Sequence, residues 1–152
     1  MPRELIRQWA SNATASSAYT DEGWSAEQAT GAPNTEECGD YNTAWASLDG
    51  NSIDWLEVGF TEAVIATEIN IHETNLPEAI VKVEIIDVNG NYIEVYTQEP
   101  FLDTTCPKIL SISLEGNEAM VKVVRIYIDQ STLEDIYWNE IDAVELVGYL
   151  VK

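Results

Sequence analysis

The chain has 152 residues, 45% of them hydrophobic, and carries seven Lys+Arg against 27 Asp+Glu, a formal net charge of −20. That length and apolar content describe one globular domain with a real core and not a disordered acidic tail, and there is no run of about 18 apolar residues to cross a membrane. A surface this acidic repels phosphate backbones and anionic lipid, which argues against nucleic-acid binding and leaves a divalent cation or a basic protein as charged partners.

Residues 1–7 hold basic side chains with no apolar stretch behind them. They read as a leader or linker remnant of helical propensity, with no visible secretory signal, and the domain proper runs from 8 to 152. From Gln8 to Asn51 the chain is rich in Ala, Ser, Thr, Gly and Asn. Its segments Thr20–Gly23 and Gly31–Asn34 are turn formers, so this first third is loop-rich. Asp49-Gly50-Asn51 reads as a turn, because the later ligands of a calcium-binding helix–loop–helix are missing.

Beyond residue 53 the pattern changes to alternation. Asp54–Phe60, Ala63–Glu73 and Ile80–Val88 read as strands, with Ile65, Ile69 and Ile71 candidates for one buried face. Asn89-Gly90 is a hairpin signal ahead of Tyr92–Thr97. Ile109–Leu114, Val121–Asp129 and Ala143–Val151 complete the set, and Ser131–Ile136 is the single late helical turn. Short strands with regular turns predict an all-β antiparallel sandwich or barrel. Trp45 and Trp55 lie inside or beside strand patterns and are expected in the core, and Trp9 over one end of the sheet.

Cys38 and Cys106 form no CxxC pair, so a zinc site or redox dithiol is not expected. Either they are bridged, closing a long loop with a gain of roughly 3–5 kcal/mol and implying an oxidising compartment, or they are two separate buried thiols. The lone His72 has no nucleophile motif beside it, Gly-rich phosphate loops are absent, and the sequence reads as non-catalytic.

Three segments carry a resemblance. Gly39-Asp40-Tyr41-Asn42-Thr43-Ala44-Trp45-Ala46-Ser47, Trp55–Phe60 and Trp138–Tyr149 together resemble the discoidin, or coagulation factor five/eight type C, family. Trp24–Pro33 and Ile71–Asn75 look like a branch found in bacterial multidomain proteins and in F-box leucine-rich-repeat proteins. The resemblance covers about residues 8–150 and implies a galactose-binding-like jelly roll. Cys38 stands where the family pattern often has its first Asp.

The resemblance also implies sites. Many members hold a structural calcium with the Asp and Thr of the first motif and an acid of the closing strand, which here are Asp40, Thr43 and Glu140. The loop itself adds Asn34 and its carbonyl oxygens, the hard donors that calcium takes. Family binders seat their ligand on loops at one end of the sandwich, here Tyr19–Trp24, His72–Asn75 and Asp135–Asn139. Sugar rings stack on aromatics while neighbouring polar groups bind hydroxyls, giving Trp24, His72, Glu73, Asn75 and Tyr137 as ligand candidates. The resulting expectation is a module binding carbohydrate or a surface glycan, as part of a larger extracellular or cell-surface parent protein, without membrane insertion. The alternative is a structural or protein-interaction module that uses its acidic surface.

Overall fold

The computed structural model describes residues 3–75, 79–101, 105–131 and 138–151. It contains eight strands: β1 (Arg3–Trp9), β2 (Asn12–Ala15), β3 (Ile53–Asn75), β4 (Ile80–Asp87), β5 (Tyr92–Thr97), β6 (Lys108–Ser113), β7 (Met120–Asp129) and β8 (Glu140–Val151). Every pairing between them is antiparallel. The expected all-β sandwich is therefore what forms, and its β-sheet is not closed. A single 3-10 turn at Ala26–Ala29, which the sequence pattern did not suggest, is the helical element among the described residues.

The two strands expected at 54–60 and 63–73 are one, the 23-residue β3. Its first half pairs with β2 and β7, and its second half with β6 and β8. The register with β7 breaks between Gly59 and Val64, where β3 passes from one layer to the other. One layer thus runs β2–β3–β7–β4–β5 and the other β1–β8–β3–β6. Leu56, Val58, Phe60, Ile69, Ile71, Ile80, Ile85, Ile126, Ile128, Ile141 and Leu146 fill the space between them, all at most 1% exposed. A second register shift, between Ala66 and Glu68, reverses which side chains face inward. That is why Val64 and Ala66 are buried with Ile69 and Ile71 while Ile65 is only half-buried.

The leader expected at 1–7 is, from Arg3 onward, part of β1, whose register pairs Arg3 with Val151 through to Trp9 with Glu145. Weak strand propensity is overridden here by the edge of β8, which offers a full row of backbone partners. Trp45 is fully buried, as expected. Trp55 is not: it lies on the outer face opposite Leu56, with the Arg125 guanidinium 4.1 Å from its ring centroid. The helical turn expected at Ser131–Ile136 lies, apart from Ser131, outside the described residues.

Cys38 and Cys106 are bridged, across a sequence separation of 68. A closed loop of that size stabilises by about 4 kcal/mol in the chain-entropy picture. Gly148 lies at a close approach in the β8–β3 seam: a Cβ there would lie 2.6 Å from both the Ile65 carbonyl oxygen and Val64 Cγ2. Gly148→Ala is expected to destabilise by about 1–3 kcal/mol, lowering the melting midpoint by roughly 2–4 °C per kcal/mol, and calorimetry of the variant checks it.

Candidate functional site

The loop-rich first third folds back over the end of the sandwich through backbone bonds to one short stretch. Tyr19 N–H donates to Ala46 O (2.8 Å), Trp24 N–H to Asn42 O (3.0 Å) and Ala46 N–H to Trp24 O (3.1 Å). Held from both sides, Trp24 adopts a φ of 56°, a conformation that non-glycine residues take mainly under constraint. Its indole Nε1 donates to Asp40 Oδ1 (2.9 Å). Tyr19 stands edge-on to Trp24 at 5.2 Å and to Trp138 at 5.8 Å between ring centroids. Trp138 is fixed in turn by its own Nε1, which donates to Ser47 O (3.0 Å). Tyr19, Trp24, Asp40, Ala46 and Trp138 line a small, partly open pocket of about 90 Å³.

Beneath Asp40 lies Glu140, the first residue of β8, fully buried. Glu140 accepts from Tyr41 N–H (3.2 Å) and from Asn75 Nδ2 (3.1 Å), and Asn75 Nδ2 also reaches Trp138 O (3.1 Å). Burial, and then the hydrogen bond and charge of Asp40, push the Glu140 carboxyl up to about 9. Two carboxylates facing one another cannot both ionise cheaply, so Glu140 keeps its proton.

A second cluster forms on Asp142, two residues further along β8. Asp142 Oδ2 accepts from the backbone N–H of Asn34 (3.1 Å) and Thr35 (3.0 Å), and Oδ1 from Thr35 Oγ1 (2.9 Å). Thr35 Oγ1 is 2.6 Å from Thr43 Oγ1. The outer atom of the Asn34 amide sits 2.8 Å from Asp142 Oδ1 and 3.2 Å from Thr43 O. With its NH2 turned to that side the amide donates to both; with its oxygen there, three oxygens converge with no donor between them. A convergence of carboxylate, amide and carbonyl oxygens is the donor set that a hard cation takes.

The structure thus divides the residues expected to act together. Asn34 and Thr43 meet at Asp142, whereas Asp40 and Glu140 pair with each other and with the aromatic pocket. The closing strand offers acids at both Glu140, which the resemblance pointed to, and Asp142, which is the one that meets Asn34 and Thr43. Of the ligand candidates, Trp24 walls the pocket and Asn75 is joined to it through Glu140 and Trp138. Glu73 is fully buried, accepts from Asn139 Nδ2 (3.0 Å) and is not among the residues lining the aromatic pocket. His72 packs edge-on against Trp9 at 5.4 Å, in a different recess with Pro33, Thr74 and Pro107. Burial lowers its pKa, against the opposing charges of Asp142 and Glu145. Tyr137 lies outside the described residues. Tyr19 and Trp138 were absent from the expected ligand set; Tyr19 beside a polar loop and Trp138 ahead of the closing strand were the signals.

The Glu140 shift has a sign that can be measured. A carboxyl raised in the fold binds more protons than in the unfolded chain, so stability is complete below about 4.5 and is lost as pH rises toward about 9. In chelator, the melting midpoint is expected to fall across that window, and Glu140→Gln to flatten the slope; a slope of the same size in the variant would disprove the assignment.

Among solved structures, the chain is similar to chitosan-binding module 1 of a chitosanase/glucanase from Paenibacillus sp. IK-5, with a TM-score of 0.67, 21% identity, and 90% of this chain and 94% of that one covered. It is similar to an f-lectin (fucolectin) from Morone saxatilis serum, at TM-score 0.66, 18% identity, and 92% and 49% coverage. It is also similar to a CBM32 module produced by Clostridium perfringens, in complex with GlcNAc-α-1,4-galactose, at TM-score 0.66, 14% identity, and 90% and 89% coverage. These likenesses establish the fold, the galactose-binding-like sandwich of discoidin-like domains. No curated protein matches the sequence. The family described as PAPPA: Pappalysin-1, SD scarf domain, C-terminal, matches residues 2–150, and the chain belongs to that family.

Proposed function

We propose that this domain is a non-catalytic glycan-binding module that seats one sugar ring in the pocket of Tyr19, Trp24, Asp40, Ala46 and Trp138. The observation that carries the reading is the set of three rings, each edge-on to the next, with one oriented carboxylate among the described residues there. Apolar C–H faces of a pyranose pack on such rings, and the carboxylate accepts from its hydroxyls. The pocket lies at the end of the sandwich, and the similar structures include carbohydrate-binding modules and a lectin. Asp40 and Glu140 share a hydrogen bond, which puts them closer than the roughly 5 Å or more between the carboxyls of a glycosidase. Membership of an extracellular or cell-surface protein fits the Cys38–Cys106 bridge, and among the described residues no helix is long and apolar enough to cross a membrane. Trp24→Ala and Trp138→Ala are each expected to weaken glycan binding at least about tenfold on an array and by calorimetry. Unchanged binding in both would remove the pocket from the account and favour a protein-interaction role for the acidic surface.

A structural calcium completes the proposal, held by Asn34, Thr43 and Asp142, with the Asn34 amide turning its oxygen to the ion in place of the NH2 that otherwise donates to Asp142 and Thr43. When bound it supplies a charge that pins the Asn34–Thr43 loop to β8. Calcium binding only the fold raises stability by mass action, by about 2.7 kcal/mol at a hundredfold excess over the dissociation constant. Melts in calcium and in EGTA should therefore separate, with Asp142→Asn closing the gap and Asp40→Asn leaving it open. A gap closed by Asp40→Asn and kept by Asp142→Asn would move the metal to the Asp40–Glu140 pair.

A further inference from the structure

We propose that the aromatic pocket selects a protonated amino sugar, a hexosamine whose ammonium group pairs with Asp40 while its ring packs on Trp24 and Trp138. The inference rests on the glycan-binding reading above and names the class of glycan.

Charge at the pocket is one-sided. Among the described residues lining it, Asp40 alone is charged. Three basic side chains are engaged elsewhere: Arg7 with Glu145 at 3.1 Å, Lys82 with Glu84 at 3.7 Å, and Arg125 with Glu57 at 2.9 Å. Among the described residues no Lys or Arg lines the pocket to neutralise Asp40. Behind Asp40 stands a second carboxyl, Glu140, buried and bonded to it. The whole chain carries −20, and a field of one sign concentrates cations in its clefts while repelling uronate and sulfated sugars.

Orientation adds to charge. Asp40 Oδ1 is fixed by the Trp24 indole, and Trp24 is itself fixed by backbone bonds to Asn42 and Ala46. The carboxylate is thus aimed before any ligand arrives, which lowers the cost of ordering the site. A hydroxyl of a neutral sugar can donate to Asp40, but only an ammonium both donates and offsets its charge. The aromatic walls favour the same group, since a cation beside a ring face is attracted by its quadrupole.

The test compares a glucosamine oligomer with its fully N-acetylated counterpart of equal length, by calorimetry on the intact, oxidised domain at about pH 6, where the amine is charged. The glucosamine oligomer is expected to bind about tenfold more tightly or better, with an advantage that shrinks as salt rises. Asp40→Asn should bring its affinity down to that of the N-acetylated oligomer, which changes little, and Trp24→Ala should lose both. Equal or tighter binding of the N-acetylated oligomer by the unaltered domain overturns the proposal without recourse to any variant. So does a preference that survives Asp40→Asn, or tighter binding of an oligolysine peptide than of the amino sugar. Trp24-dependent binding of a neutral glycan without amino preference would overturn this inference and leave the glycan reading intact; no binding of any sugar would overturn both.

Discussion

Two backbone hydrogen bonds between Trp45 and Ile141, N–H to O at 2.8 Å in one direction and 3.0 Å in the other, join the loop-rich first third to the closing strand. Both side chains are fully buried, so the bridge is shielded from water and its bonds do not compete with solvent. On one side of Ile141 stands Glu140, which receives Tyr41 N–H; on the other stands Asp142, which receives Asn34 and Thr35. Ala46, next to Trp45, carries the backbone bonds of Tyr19 and Trp24. The aromatic pocket and the oxygen cluster are therefore positioned by one short junction in which alternate residues of β8 each hold a different part of the same loop.

The buried polar residues around that junction explain why a long segment without regular structure keeps one conformation. Gln130 Nε2 donates to Ser47 Oγ (2.9 Å) and Asp49 O (3.1 Å), and Gln130 Oε1 accepts from Asn139 N–H (2.7 Å). This links the end of β7, the start of β8 and the loop that follows Trp45. Each group would cost a few kcal/mol if buried alone, so the network tolerates few other arrangements. Trp138, donating to Ser47 O, gains its fixed position from the same chain of bonds. The opposite strategy appears on the outer face of the β3–β7–β4 layer, where Arg125 lies over Trp55, pairs with Glu57 and stands 5.6 Å from Tyr92. Basic residues there meet acids across neighbouring strands and leave the end of the sandwich to acids and aromatics.

The fold was legible because it depends on alternation, and strands β4 to β8 appear within a few residues of where alternation predicts them. What escaped was set by tertiary partners. β1 lacks a strong pattern and forms because β8 leaves an edge open. β3 reads as two strands because the passage from one layer to the other interrupts alternation without interrupting the chain. Trp55 was expected inside because it lies within a strand pattern, yet its parity in β3 places it beside Glu57 and away from Leu56 and Val58. The sites were half-legible for a related reason. Motif spacing brought attention to Asn34, Asp40, Thr43 and Glu140, but spacing does not say which of two acids on one strand faces which stretch of a loop. Glu73 lies buried away from the aromatic pocket, beside register shifts near the end of β3 that belong to the pairing with β8 and that no local sequence feature encodes.

A small open pocket has little area to offer a ligand, and its affinity then depends on how little must be ordered when the ligand arrives. Here the ordering is done during folding. The loop that carries Asp40 is anchored at Cys38 by the disulfide, at Gly39 by its N–H to Thr74 O (2.8 Å), and at Tyr41 by Glu140. Residues on both sides of Asp40 are thus tied to different strands, and its own side chain is tied to Trp24. Cys38, the departure from the family pattern at the first acid of the motif, makes physical sense in this setting. It replaces a carboxylate that would have added charge beside Asp40 and Glu140 with a covalent link, so that the loop is held without increasing the repulsion among the acids it carries.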